Sequence, residues 1–199
     1  MTRPFTVFFW LSALGVAVMS WRVFFAPIAD AMPAMLPYFP DVSLAAWAHI
    51  IGGPLALGLA PFQLWQGLRR RRPALHRWMG RVYGLSILMA GLASLVMLPH
   101  FEGSRFAQLG FGVLAVLWIA TTALGIARAR AGDLTAHRRW MLRSIALTFA
   151  AVTLRIIMAP LMASGWSITE TYEITAWGSW VLNLIVLELW QRRRQLQLA

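Results

Sequence analysis

Four histidines, His49, His76, His100 and His137, are the side chains in this sequence best suited to chemistry. Imidazole is the usual axial ligand of a b-type haem, and ligation by two histidines needs two facing helices. His76 and His137 open matching segments: His76-Arg77-Trp78-Met79-Gly80-Arg81 and, with one inserted residue, His137-Arg138-Arg139-Trp140-Met141-Leu142-Arg143. At equal depth in a bundle, these two imidazoles form a candidate pair for haem b. The neighbouring Arg77, Arg81, Arg138 and Arg143 suit its propionates or another anion. His49 and His100 fall toward the opposite side, and one histidine pair per leaflet is the layout of a two-haem electron carrier. Three features weigh against that reading. The repeat counterpart of His49 is Gln108. His100 follows Pro99 at a helix end, where it is either a ligand or a loop residue. His-Arg beside tryptophan at a helix start is also what a lipid-headgroup anchor looks like. No H-x-x-x-H or H-x-x-E-H spacing occurs, so no metal is expected beyond haem iron.

Other polar side chains stand inside apolar stretches, where ionisable groups are functional by default. His49, Gly53, Ala56, Ala60, Gln63 and Gly67 follow in steps of four and three, which puts them on one helix face. That face is either a packing seam with Gln63 hydrogen-bonded to a neighbour, or a polar lining. Pro54 and Pro61 bend the same helix and free backbone carbonyls. Further along, Met141, Thr148 and Arg155 share a face, and Arg143 points about 120° away. Asn183 and Glu188 follow on the last apolar stretch. Glu188 has the right depth to pair with Arg143 or Arg81, and Arg155 is within reach of Glu173, Glu170 or His49. These charges are either structural ion pairs that fix helix register or parts of an anion site.

The elements that hold these residues follow from composition. The chain has 199 residues, 59% hydrophobic and 13% charged, against about 25% charged in a soluble domain. A soluble globular protein is excluded, and with it a nucleic-acid reading of the +11 net charge, since there is too little polar surface. All eighteen basic residues are arginine, against seven acids. The absence of cysteine excludes disulfides, thiolate metal sites and cysteine nucleophiles, and the absence of lysine excludes Schiff-base chemistry. No phosphate-cradling G-x-x-x-x-G-K and no G-x-S-x-G occurs, so no hydrolase, kinase or transferase is indicated and no catalytic residue is assigned.

A membrane span needs about 20 mostly apolar residues. The hydropathy pattern predicts an all-α integral membrane fold of six spans, at 5–25, 45–68, 82–99, 108–127, 141–163 and 176–191, forming one domain. Arg3, Arg69 to Arg72, Arg77, Arg81, Arg128, Arg130, Arg138, Arg139 and Arg192 to Arg194 gather on the side of both termini. Asp30, Asp41, Glu102, Glu170 and Glu173 mark the other side. The positive-inside rule then makes both termini cytoplasmic. Tryptophans fall near both interfaces, Trp65, Trp78 and Trp140 inside and Trp21, Trp47 and Trp166 outside. The long external link 26–44 carries Pro27, Pro33, Pro37 and Pro40, and is expected to lie on the bilayer or cap the bundle.

The H-R-W-M-x-R match, with Ala48-His49 and Gly53 against Ala107-Gln108 and Gly112, makes spans 2–3 and 4–5 a parallel internal repeat. The stretches AHIIGGPLALGLAPFQLW (48–65), LHRWMGRVYG (75–84), HRRWMLRSIALTFAAVTLR (137–155) and WVLNLIVLELW (180–190) resemble the domain-of-unknown-function-2306 family. That resemblance implies a polytopic membrane protein of prokaryotes and supplies no activity. Localisation in the bacterial inner membrane follows from it. Three functions remain open. One is a redox carrier holding haem b or a quinone between spans 2–5. Another is a small transporter for an anionic solute, lined by Arg155, Gln63, Asn183 and His49. The third is a non-enzymatic assembly or lipid-binding protein that uses anionic headgroups at its inner face. The expected partners are the bilayer, its anionic lipids, and a second copy or a membrane complex.

Overall fold

The computed structural model describes residues 3–196, and the side chains of 4–193. The side chains of Arg3 and Arg194, which enter the charge count, lie outside the described residues. Every regular element among the described residues is helical. Seven long helices carry the architecture: α1 (Arg3–Ser20), α2 (Phe39–Leu64), α3 (Pro73–Met97), α4 (Arg105–Arg130), α5 (Leu134–Thr148), α6 (Ala150–Ala163) and α7 (Ile168–Leu196). The chain divides into two compact units, residues up to Glu102 and from Gly103 on. Within unit 1, α2 packs on α3 and on α1; within unit 2, α4 packs on α5, and α7 packs on α4, α5 and α6.

Among the described residues five segments are long and apolar enough to cross a membrane: Pro4–Phe24, Pro33–Leu64, Pro73–His100, Arg105–Arg130 and Leu134–Ala163. The sixth expected span falls in α7. That helix has 29 residues, but Glu173 and Glu188 bracket its apolar stretch, and it does not reach the same measure. The outer surfaces agree with a lipid environment: Leu11, Val18, Leu85, Leu109 and Val186 are 69, 66, 66, 63 and 62% exposed. Soluble monomers rarely carry apolar patches on that scale.

Among the described residues each of the helices expected to span begins upstream of its expected position, and for α3 and α5 a local start signal accounts for it. The third span was expected from 82, yet α3 begins at Pro73. Arg72 leaves the helical region (φ −135°, ψ 64°), which proline disfavours for the residue before it, and Pro73 supplies a preset first helical position. The fifth was expected from 141, yet α5 begins at Leu134. Gly132 turns the chain at φ 78°, and the Asp133 carboxylate accepts the amide of Ala136. His76, Arg77 and Arg81, and likewise His137, Arg138 and Arg139, therefore stand on helices instead of in links.

The fifth span is also broken. Phe149 separates α5 from α6, and Thr148 sits at the break. Its hydroxyl donates to the Ser144 carbonyl (2.9 Å) and accepts from the Trp118 indole (2.8 Å). Back-bonding of this kind bends helices.

The 26–44 link is largely structured. Short helical turns at Ile28–Ala31 and Pro33–Tyr38 lead into α2, which breaks at Val42. Val23, Ala31 and Ile50 form a small core there, with Met32, Met35 and Trp47 packed around it. Arg22 clamps it, donating from Nε (3.0 Å) and a terminal nitrogen (2.7 Å) to the Ala31 carbonyl. The prolines interrupt the helix as expected, and the segment caps that end of unit 1.

Candidate functional site

The densest arrangement of charge and hydrogen-bonding groups lies in unit 2, where the start of α5 meets the end of α7. The Asp133 cap fixes the phase of α5. Ten residues on, Arg143 points at α7 and meets Glu188 in a two-pronged bond: Nε to Oε1 at 2.7 Å and a terminal nitrogen to Oε2 at 3.1 Å. Bidentate Arg–carboxylate pairs are among the strong charge-assisted hydrogen bonds. The guanidinium carbon also lies 4.9 Å from the centre of the Trp140 ring, within cation–π range. The expected pairing of Glu188 is thus with Arg143; Arg81 belongs to unit 1 and is exposed.

Beside this pair is a cavity of about 340 Å³, lined by Arg139, Trp140, Arg143, Glu188, Gln191 and Arg192. Arg139 and Arg192 are exposed. The amide nitrogen of Gln191 is buried and has no hydrogen-bond partner. Sequence reasoning assigned Arg143 and Glu188 but missed Gln191, Arg139 and Arg192 as cavity residues. Helical spacing held part of the signal, since Glu188, Gln191 and Arg192 are three and four residues apart.

The histidines divide between the units, His49, His76 and His100 in unit 1 and His137 in unit 2. His137 lies 2.8 Å through Nδ1 from the Gly125 carbonyl of α4. A carbonyl only accepts, so Nδ1 is the donor of this bond. His49 lies 2.9 Å through Nδ1 from the Ser94 hydroxyl, which is also 2.8 Å from the Ala90 carbonyl. His100 ends a helical turn, with Nδ1 3.4 Å from Asp41. His76 is half-buried in the first turn of α3 and Arg77 next to it is exposed, as is Arg138 beside His137. Among the described residues no group of three or more acidic or histidine side chains gathers as a metal site.

On α2, Ala56, Ala60 and Gln63 are buried, and His49 and Gly53 are half-buried. The crossing glycine is Gly52, one position off the expected stripe. A Cβ there would lie 2.9 Å from the Ser86 carbonyl oxygen, whereas one on Gly53 meets nothing within 4 Å. The oxygen of the Gln63 amide lies against Gly80, while its nitrogen is buried without a partner.

Asn183 latches the bent fifth span. Its nitrogen donates to the Ala146 carbonyl before the break (3.0 Å), and its oxygen accepts from Thr153 after it (2.9 Å). Thr148 is buried and Arg155, on the far side of Phe149, is exposed. Arg155 donates to the Ala151 carbonyl at 2.7 Å, and its charge acts on Tyr172. Glu170, one of its expected partners, bonds Ser167 instead. The Ser167 amide and hydroxyl each donate to it at 2.7 Å and hold its carboxyl below the ordinary value.

No curated protein and no solved structure matches this chain. A family model described as a predicted membrane protein (DUF2306) matches residues 46–191, which takes in both H-R-W-M segments, Arg143 and Glu188. With well over half its length inside that match, the chain belongs to the DUF2306 family of predicted membrane proteins.

Proposed function

We propose that this is a six-span protein of the bacterial inner membrane, with both termini cytoplasmic, that binds anionic groups at its arginine-rich inner face. The observation that carries this reading is the neutralisation of Arg143 by Glu188 beside further arginines that line the same cavity. Charge left over at a membrane surface attracts anionic lipid. The sixth span is supported by the fate of its polar groups: Asn183 is bonded at both ends and Glu188 is paired. The internal repeat is supported by register. The offset that aligns Trp78 with Trp140 also aligns Ser86 with Thr148, two buried hydroxyls that each bond the carbonyl four residues back. Among the functions left open by the sequence, a lipid-binding or assembly role fits best.

The test is native mass spectrometry of the full chain released from mixed vesicles of phosphatidylglycerol and phosphatidylcholine. Retention of phosphatidylglycerol, weakened by salt, is expected. Equal retention of the two lipids overturns the reading.

A second reading, a redox carrier with haem b, is favoured by His137. An imidazole whose Nδ1–H is held by a carbonyl presents Nε2 in the way ligating histidines do. Haem would supply one-electron chemistry there, and the exposed Arg138 beside His137 would be available to a propionate. The optical spectrum of the purified protein decides. A Soret band lost in His137→Ala supports the reading, and a protein without one ends it.

A further inference from the structure

We infer that the α5–α7 cavity of unit 2 is a discrete binding site for one phosphomonoester dianion. The inference rests on the anion-binding reading above and deepens it, because diffuse attraction between a basic face and a membrane needs no cavity at all.

The charge balance is the first observation. Three guanidiniums and one carboxylate line the cavity. Arg143 spends its fork on Glu188 and its face on Trp140. Arg139 and Arg192 then leave a local charge of about +2, which matches the −1.5 to −2 of a phosphomonoester near neutral pH. A phosphodiester, with one charge, leaves one guanidinium uncompensated.

Donor chemistry is the second. Arginine forks match phosphate oxygens in pairs. Gln191 adds a buried amide nitrogen that no protein group satisfies. Leaving such a donor buried is costly, and a phosphate oxygen in the cavity would accept from it. Size agrees: about 340 Å³ lies in the range of small-ligand sites. The Arg143–Glu188 pair acts as the floor. It holds α5 to α7 and keeps the acid occupied, so Glu188 does not repel an incoming anion.

The same chemistry is offered by a lipid phosphomonoester, such as phosphatidic acid, and by a soluble one. The experiment separates these sources. The full chain is placed in nanodiscs of phosphatidylcholine doped with phosphatidic acid or phosphatidylglycerol at matched total lipid charge, and retained lipid is counted by native mass spectrometry. One phosphatidic acid per chain is expected, held at least about tenfold more tightly than phosphatidylglycerol. The preference should fade as pH falls below about 6, where the second phosphate proton returns. Arg139→Gln with Arg192→Gln should remove it, while Arg128→Gln with Arg130→Gln, equal in charge and outside the cavity, should not. Gln191→Glu, nearly isosteric, should remove it as well. If millimolar inorganic phosphate displaces the lipid, the ligand is a soluble phosphate; if it does not, the headgroup is. Equal retention of the two lipids, with both arginine pairs weakening binding alike, overturns the site and leaves the diffuse reading standing. Loss of all preference for anionic lipid overturns both.

Discussion

The two units solve the same problem with different chemistry. In lipid no hydrophobic force draws one helix to another, so association depends on close packing or on hydrogen bonds between helices. Unit 1 relies on close packing. Ala46, Ile50, Ala56, Leu57, Tyr83 and Ile87 are buried on its helices α2 and α3, and Gly52 lets the two backbones touch. Unit 2 buries hydroxyls instead: Thr121, Thr122, Ser144, Thr148, Thr171, Thr175 and Ser179. Several tie helix to helix, as in Thr122 to Ser144 at 2.7 Å and Trp118 to Thr148 at 2.8 Å. A seam of small residues needs only shape, whereas a polar seam also holds groups at fixed orientation. It is the polar unit that carries the paired Arg143 and the cavity.

The largest effect that would break this comparison is at Gly52. A Cβ there would stand 2.9 Å from a backbone oxygen, which cannot rotate away as a side chain can. Gly52→Val should destabilise unit 1 by about 1–3 kcal/mol, the usual cost of overpacking, or abolish folding. Gly53→Val, facing open space, should change stability by less than about 0.5 kcal/mol. Thermal unfolding in detergent, followed by size exclusion, measures both. Equal behaviour of the two variants would mean that α2 does not cross α3 at Gly52.

Next in size is the contrast between Arg143 and its repeat counterpart Arg81. The acids of unit 1, Asp30, Asp41 and Glu102, all lie toward the opposite links, and Arg81 is exposed. Arg143→Leu orphans Glu188. Because the paired side chains remain 27% and 38% exposed, the cost falls short of that of a fully buried pair, at about 1–2 kcal/mol. Arg81→Leu should be close to neutral. A double-mutant cycle of Arg143→Leu with Glu188→Leu should recover part of the loss; strict additivity would show that the pair carries no coupling.

The hydroxyl seam should yield less. Hydrogen bonds between membrane helices average about 0.6 kcal/mol, because the separated helices also find partners. Thr122→Val and Ser144→Ala should each cost about that much, and the double variant little more than either. The same unfolding assay reads them, and losses above about 2 kcal/mol would point to a buried network stronger than pairwise bonds.

What the sequence made legible follows from which physical signals are local. Apolar length is local, and five of the six expected spans meet that measure in the structure. The depth of Arg143 and Glu188 along their helices is local too, and it narrowed the partner of Glu188 to Arg143 or Arg81. Helix starts were misplaced because charged first turns, such as His76 to Arg81, hide the upstream signals of Pro73 and Asp133. The break at Phe149 has no proline or glycine to announce it, and the bond that Thr148 accepts there comes from Trp118 on another helix. Gly52 and Gly53 are indistinguishable in the sequence, since only the phase of α2 against α3 decides which one is crowded. Phase between helices also hid the cavity: Arg139, Gln191 and Arg192 converge only once Arg143 has fixed α5 against α7.

The smallest expected effect separates the units by how their helices begin. In unit 1, α2 and α3 start with proline near the first position and no side-chain cap. In unit 2, α4 and α5 are capped by Ser104 and Asp133, and α7 by a reciprocal box in which Ser167 and Glu170 bond each other's amides. Proline starts do not titrate, whereas the α7 box does. The Glu170 carboxyl is held below its ordinary value of 4.5, first by the Ser167 amide and then by its hydroxyl. Its contribution is therefore complete above pH about 4.5 and is lost as pH falls through the lowered value. Amide exchange at Ser167 should be slower than in Glu170→Gln at about pH 6, and the difference should vanish as pH falls through the lowered value. The start of α3 should show no such window. A matching pH response at Pro73 would mean that global unfolding, rather than loss of one cap, governs acid sensitivity.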